Sequence, residues 1–190
     1  MKKGLLIVYS GPSGVGKSTI LEQLLKDEKL NLAFSISMTT RSPRSDEQEG
    51  VDYFYVTKER FLEAIANDEF LEHAQYVDNY YGTPAAYVEQ KRNEGKNVLL
   101  EIDVQGGKQV IAKVSDVVSI FIAPPSEEVL YERLRNRGTE SEEVIAKRLA
   151  ASKAEIAQKD CYKYVVYNDI LEETVEKVRN IILKEMENRD

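Results

Sequence analysis

Cysteine is almost absent from this chain. Cys161 stands alone, so no internal disulfide can form, and one histidine, His73, is too few to complete a thiolate–imidazole zinc site. Cys161 is expected to be a half-buried structural thiol, since no Cys–His–Asp arrangement can be assembled around a single histidine. Long apolar runs are missing too: none approaches the roughly 20 residues that a bilayer-spanning helix needs. After Met1 the chain passes from Lys2 and Lys3 through a short apolar run straight into Gly11, with no small-residue cleavage site, and a cytoplasmic protein is expected. Positive charge is not in excess either. Lys and Arg number 26 against 33 Asp and Glu, a formal net charge of −7, which leaves no electrostatic footprint for nucleic acid or an anionic membrane. Any anion bound here must be met by locally placed cations. Internal repeats, low-complexity tracts and linker-like stretches are lacking, so the 190 residues are expected to form one domain.

What is present fits a globular chain, with 42% hydrophobic and 31% charged residues. Leu5 to Tyr9 is apolar without alternation, the pattern of a strand covered on both faces, and Val98 to Leu100 and Val117 to Ile122 repeat it. Between these runs lie amphipathic stretches at helical spacing. Ile20, Leu21, Leu24 and Leu25 mark the first, and Leu171, Val175, Val178, Ile182 and Met186 mark the last. Alternating strands and helices predict an α/β fold with a parallel sheet. From Phe34 to Thr83 the rhythm breaks: Phe34 to Ser37, Tyr53 to Val56 and Glu72 to Val77 are short, polar strand-like pieces, with Tyr53, Tyr55, Tyr76, Tyr80 and Tyr81 among or near them. This stretch reads as an inserted antiparallel subdomain.

Gly11-Pro12-Ser13-Gly14-Val15-Gly16-Lys17-Ser18 fits G-x-x-x-x-G-K-[ST] between an apolar strand and a helix, the context that motif requires. Backbone N–H groups of such a loop converge on phosphate oxygens, and the helix beginning near Gly16 adds its positive end. Lys17 can reach β- and γ-phosphates, and the Ser18 hydroxyl can ligate the magnesium that travels with ATP. Further on, Glu101 and Asp103 follow an apolar run. Two residues apart on a strand, they are expected to share one face at its carboxyl end, where open α/β sheets bind ligands. Arg41 and Arg44 flank Pro43, and guanidinium pairs of this kind suit a phosphate through forked hydrogen bonds.

Taken together, the chain resembles the guanylate kinase family over nearly its whole length. The blocks that carry the resemblance include Ser10 to Ser18, Ser37 to Arg44, Gly50 to Tyr53, Glu69 to Glu72, Asn79 to Thr83, Glu101 to Gly106, Ile122 to Ser126, Arg137 to Glu140, and Asn168 with Asp169. The resemblance implies a P-loop core from residues 1–33, 84–126 and 159–190, a GMP-binding subdomain at 34–83, and a helical lid at 127–158. It implies that Ser37, Arg41, Arg44, Tyr53, Glu72, Tyr81, Thr83, Glu101 and Asp103 bind GMP. Of these, Arg41, Arg44, Tyr53 and Tyr81 would hold the phosphate, and Ser37, Glu72, Thr83 and Asp103 would read the base. Lys17, Arg41, Arg137 and Arg148 would be catalytic, and Arg133 and Asn168 would join the loop at ATP. Mg²⁺ would sit at Ser18, with Glu101 acting through water. ATP and GMP, with dGMP beside it, are the implied partners, and no obligate protein partner is implied. Thr83 and Glu101 stand where the family also uses Ser and Asp, swaps that keep the chemistry. Val104 replaces a frequent aromatic.

His73 follows Glu72 and invites a role as general base, but a nucleotide phosphate is already ionised near neutral pH and needs none. Two rival readings keep the fold and change the function: a non-catalytic module for phosphorylated peptides, and a P-loop kinase for another small acceptor. Intact Lys17, Ser18, Arg137 and Arg148 argue against the first. The guanine-reading set argues against the second.

Overall fold

The computed structural model describes residues 2–136 and 141–189. The first apolar run forms β1 (Leu6–Ser10), buried at every position. It runs parallel to β7 (Asn97–Glu101) on one edge and to β8 (Val118–Ala123) on the other. β2 (Leu32–Phe34) flanks β7 and β9 (Tyr164–Tyr167) flanks β8, giving the all-parallel order β2-β7-β1-β8-β9. Helices cover both faces, which is why β1 and β8 are apolar without alternation. On one face, α1 (Lys17–Leu24) and α7 (Leu171–Glu187) bring Ile20, Leu21, Leu24, Val178 and Ile182 against Ile7, Tyr9 and Ile120. On the other, Val88 of α3 (Ala85–Asn93) and Val110 of α4 (Val104–Lys113) meet Leu6, Val8 and Phe121. Leu25 departs from the expected apolar stripe: it is the C-cap of α1 and is exposed.

The second sheet contains β3 (Ser37–Thr39), β4 (Tyr53–Tyr55), β5 (Phe70–Tyr76) and β6 (Asn79–Pro84), in the order β4-β3-β6-β5. Its apolar backing comes from α2 (Lys58–Ala66), whose Phe61 stacks on Phe70 at 4.5 Å between ring centroids. Two details differ from the sequence reading. β3 and β4 pair in parallel, so the sheet is mixed, although β3 with β6 and β5 with β6 are antiparallel. The physical reason is the long connection from Thr40 to Asp52, which allows the crossover that a parallel pair requires. The strand-like piece from Phe34 to Ser37 also divides, with Phe34 ending β2 in the larger sheet and Ser37 opening β3 in the smaller. Between β8 and β9, α5 (Glu127–Arg135) and α6 (Glu142–Ile156) share a small cluster of Leu130, Leu134 and Ile145. Cys161 closes a 3₁₀ turn, Lys159–Cys161, and is exposed rather than half-buried. No helix among the described residues is long and apolar enough to cross a membrane.

Asn97 ties the entry to the sheet. Only 4% exposed, its Oδ1 accepts from the Leu5 N–H at 2.7 Å and its Nδ2 donates to the Leu30 carbonyl at 2.7 Å. Asn97→Leu is close in volume but strands both backbone groups inside the protein. It is predicted to cost about 2–4 kcal/mol. That loss should lower the thermal midpoint by ~5–15 °C in a circular-dichroism melt.

Candidate active site

The chain leaves the centre of the larger sheet at Ser10 and enters α1 at Lys17. To turn within that span, Gly14 and Gly16 adopt φ of 82° and 96°, in the left-handed region that side chains disfavour. Close approach reinforces the choice: a Cβ on Gly16 would stand 2.6 Å from Asn168 Nδ2, and one on Gly14 would stand 2.8 Å from Leu134 Cδ2. The N-cap of α1 is Gly16, with no side chain to satisfy the first-turn N–H groups, which leaves them available to an anion. Lys17 Nζ folds back over the loop, donating to the Gly11 carbonyl and to the Pro12 carbonyl at 3.0 Å. Ser13 and Ser18 are exposed, while Pro12 and Val15 are buried.

Asn168 and Arg133 meet this loop from behind. Asn168 Nδ2 donates to the Val15 carbonyl at 2.8 Å, and Arg133 Nη1 donates to the Asn168 carbonyl at 2.9 Å. Both residues thus brace the loop, a role their sequence positions do not reveal. Glu101 ends β7 beside Tyr9, whose hydroxyl is pushed far above its usual range by burial and then by the Glu101 charge. Asp103 is not on the strand. It is the N-cap of α4, accepting from the Gly106 N–H at 2.8 Å, so the expected same-face pair on β7 does not exist. The strand stops at Glu101 because Asp103 is better placed capping a helix.

The second sheet gathers residues that lie far apart in sequence. Register pairs Tyr53 with Ser37, and Glu72 with Thr83. The Met38–Gly82 register, continued by one residue, sets Ser37 alongside Thr83. Tyr53, Ser37, Thr83 and Glu72 therefore form one row across four strands, on one face. Tyr81 lies two residues along from Thr83, and its ring meets that of Tyr53 edge-on at 6.1 Å. The Thr83 hydroxyl donates to Glu72 Oε1 at 2.5 Å. Glu72 Oε2 lies 2.9 Å from where a Cβ on Gly106 would sit, so a side chain there would push the Glu72 carboxylate from this position. Glu72 is 8% exposed. Burial pushes its carboxyl up from its ordinary value, the Thr83 hydroxyl opposes that, and the nearby Asp103 charge adds to it. Such a group favours ligands that bring N–H donors.

At the Tyr53 end of the row stand the arginines. Arg41 Nη2 pairs with Glu47 Oε1 at 2.8 Å, and its guanidinium lies 5.5 Å from the centroid of the Tyr53 ring. Glu47 Oε2 accepts from the Arg44 N–H at 2.8 Å and from the Tyr55 hydroxyl at 2.9 Å. These bonds, Arg41 first, draw the Glu47 carboxyl down to about 2, while burial and the Glu47 bond push the Tyr55 hydroxyl up to about 12. Arg44 itself is exposed. Sequence reasoning missed Glu47, which carries no motif of its own and gains meaning only from what surrounds it.

Arg148 lies half-buried on α6, and seven residues later, on the same face, stands Glu155. The Glu155 carboxyl is raised by burial, lowered by the Lys17 charge and raised by that of Asp103, which brings this face of α6 to the loop. No sequence signal singled out Glu155. Arg137 lies outside the described residues.

The family model described as guanylate kinase matches residues 3–185. A guanylate kinase of Mycoplasmoides gallisepticum is 50% identical over 183 residues, covering 96% of this chain and 94% of that protein. One of Bacillus subtilis is 50% identical over 184 residues, covering 97% and 90%. The crystal structure of guanylate kinase from Anaplasma phagocytophilum superposes with a TM-score of 0.71 at 37% identity, covering 97% of this chain and 87% of that one. With a G-x-x-x-x-G-K-S loop between β1 and α1 in an α/β scaffold, and with these full-length likenesses, the chain belongs to the guanylate kinase family and is a phosphotransferase.

Proposed function

We propose that this protein transfers the γ-phosphoryl group of ATP to GMP, giving ADP and GDP, with Mg²⁺ bound alongside ATP. The observation that carries the reading is the row Tyr53–Ser37–Thr83–Glu72, with arginines at one end and a buried carboxylate at the other. A nucleoside monophosphate has the same polarity, phosphate at one end and base at the other. Arg41, Arg44, Tyr53 and Tyr81 then hold the phosphate, and Glu72, Ser37 and Asp103 read guanine. The Thr83 proton is committed to Glu72, so Ser37 is the hydroxyl donor for guanine O6, and Thr83 acts by orienting the carboxylate. dGMP presents the same phosphate and base to these groups and is expected to use the same contacts. The segment 34–83 is the acceptor subdomain, 127–158 the lid, and the remainder the core.

Two donors suit the ion: the Ser18 hydroxyl at the start of α1 and the Glu101 carboxylate at the end of β7, directly or through water. Among the described residues no cluster of three acids, His or Cys could hold a metal, so phosphate oxygens and water complete the shell, as Mg²⁺ prefers. When bound there, Mg²⁺ neutralises charge on the β- and γ-phosphates. The chain's own residues do the rest. Loop N–H groups and Lys17 hold the donor phosphates. Arg41 and Arg44 align the acceptor oxygen, and Arg148 with Arg137 meets the charge spread over the transferring group. His73 is not needed, because the attacking oxygen is already ionised. The phosphopeptide-module reading is not favoured, since Lys17, Ser18 and Arg148 are all present. The reading implies a cytoplasmic enzyme with neither nucleic acid nor membrane as partner.

The direct test is ADP release with Mg-ATP across GMP, dGMP, AMP, CMP, UMP and dTMP. Turnover is expected with GMP and dGMP only, and to vanish with EDTA. Lys17→Ala should lower kcat by about 10³-fold or more while leaving the thermal midpoint nearly unchanged, because the lysine acts on charge that develops in transfer. Unaltered kcat in that variant would remove Lys17 from the mechanism. Glu72→Gln puts an NH₂ where guanine presents N1–H and N2–H₂, and should cost about 10²-fold or more in kcat/KM for GMP while narrowing the preference over AMP. The KM for ATP should stay the same, and a preference kept in full would show that Glu72 does not read the base.

A further inference from the structure

β5 is an edge strand: β6 pairs one side of it, and among the described residues no strand takes the backbone groups on the other. At His73 those groups are met by a side chain. The Gln109 Oε1 accepts from the His73 N–H at 3.1 Å, and the Gln109 Nε2 donates to the His73 carbonyl at 3.1 Å. One amide thus satisfies both backbone groups of a single residue, as a neighbouring strand would. Gln109 belongs to α4, and its neighbours on that helix extend the contact. Gly106, one turn before, lies against Glu72 Oε2. Lys113, one turn after, donates from Nζ to the Phe70 carbonyl at 2.9 Å and to Asp68 Oδ1 at 2.6 Å. The spacing i, i+3, i+7 puts all three on one stripe of α4.

We propose that Gln109 is a positioning residue for base selection: its amide fixes the backbone next to Glu72 and so sets where the Glu72 carboxylate stands. The inference rests on the reading of Glu72 as the guanine-recognising group. Three features make the point sensitive. Strand regularity is broken between Phe70 and Glu72, so the β5–β6 ladder alone does not hold this stretch in ideal register. A carboxylate that must accept two adjacent donors tolerates little displacement, and sub-ångström errors of placement are enough to weaken such recognition. Gln109 also joins the two sheets of the molecule, because α4 packs on the larger one through Val104 and Val110. It therefore places a residue of the acceptor sheet relative to the core that carries the phosphate loop.

The test compares Gln109→Met, which keeps length and loses both hydrogen bonds, with Lys113→Met, which loosens the same helix–strand contact away from Glu72. Gln109→Asn serves as the milder second variant, withdrawing the amide by one methylene and keeping its polarity. Glu72→Gln is measured in parallel. The readouts are kcat and KM for GMP and for AMP, KM for ATP, and the thermal midpoint. Gln109→Met is expected to raise the KM for GMP and narrow the GMP-to-AMP ratio of kcat/KM by about tenfold, with the KM for ATP unchanged. Gln109→Asn should narrow the ratio in the same direction by less. Lys113→Met should leave the ratio intact even if its midpoint falls. If Glu72→Gln narrows the ratio and neither Gln109 variant does, or if Lys113→Met narrows it equally, the positioning role is overturned and Gln109 only docks the strand. If Glu72→Gln itself leaves the ratio unchanged, the reading of Glu72 fails first and this proposal falls with it.

Discussion

A single buried strand constrains everything that follows in this molecule. β1 is hydrogen-bonded along both edges, to β7 and β8, and covered by helices on both faces, so the point where it ends is fixed on every side. The glycine-rich loop from Gly11 to Lys17 begins at that point. Its shape then depends on glycines that tolerate positive φ and on supports arriving from late in the chain: the Asn168 amide on the Val15 carbonyl and Leu134 against Gly14. A loop of backbone N–H groups binds strongly only if it need not reorganise, and these contacts remove its freedom before a ligand arrives.

The acceptor sheet solves a different problem, which is to present opposite chemistries at a set separation. Strand register does this without any one segment spanning the distance. Four short strands each contribute one residue to the row, and the row runs from the arginine end to a buried carboxylate. At the arginine end, Glu47 holds the Arg41 guanidinium and the Arg44 backbone N–H in one arrangement. At the other end, burial raises the cost of the Glu72 charge, which N–H donors offset better than water can reach it.

Between the two ends, α4 does more than cover the sheet. Its first turn carries Asp103 and admits Glu72 over Gly106, and its second and third turns hold β5 through Gln109 and Lys113. On α6, the Glu155 carboxyl is raised by burial, lowered by the Lys17 charge and raised by that of Asp103, so one carboxylate lies in the field of both the loop and the start of α4. α5 is linked to the loop as well, by Leu134 against Gly14 and by the hydrogen bond from Arg133 to the Asn168 carbonyl.

Much of this was legible in the sequence, for a local reason. Unalternating apolar runs determined a parallel sheet with helices on both faces, and Gly11 to Ser18 determined the loop, because backbone conformation and burial on that scale depend on neighbours in sequence. The residues of the acceptor row were named from resemblance alone; nothing local in Ser37, Tyr53, Glu72 or Thr83 marks them as neighbours. Register, which is set by pairing between distant strands, made them one row. The same non-local decisions turned β3 and β4 parallel, made Asn168 a brace, committed the Thr83 proton to Glu72, and gave Glu155 and Gln109 partners that no motif announces, whereas the Asp103 cap on α4 and the Glu47 contact with Arg41 span only a few residues. A side chain's role in such contacts is defined by what the fold brings within about 3 Å of it. For Asn168, Gln109 and Glu155 the partner lies tens of positions away along the chain, beyond the reach of any local pattern.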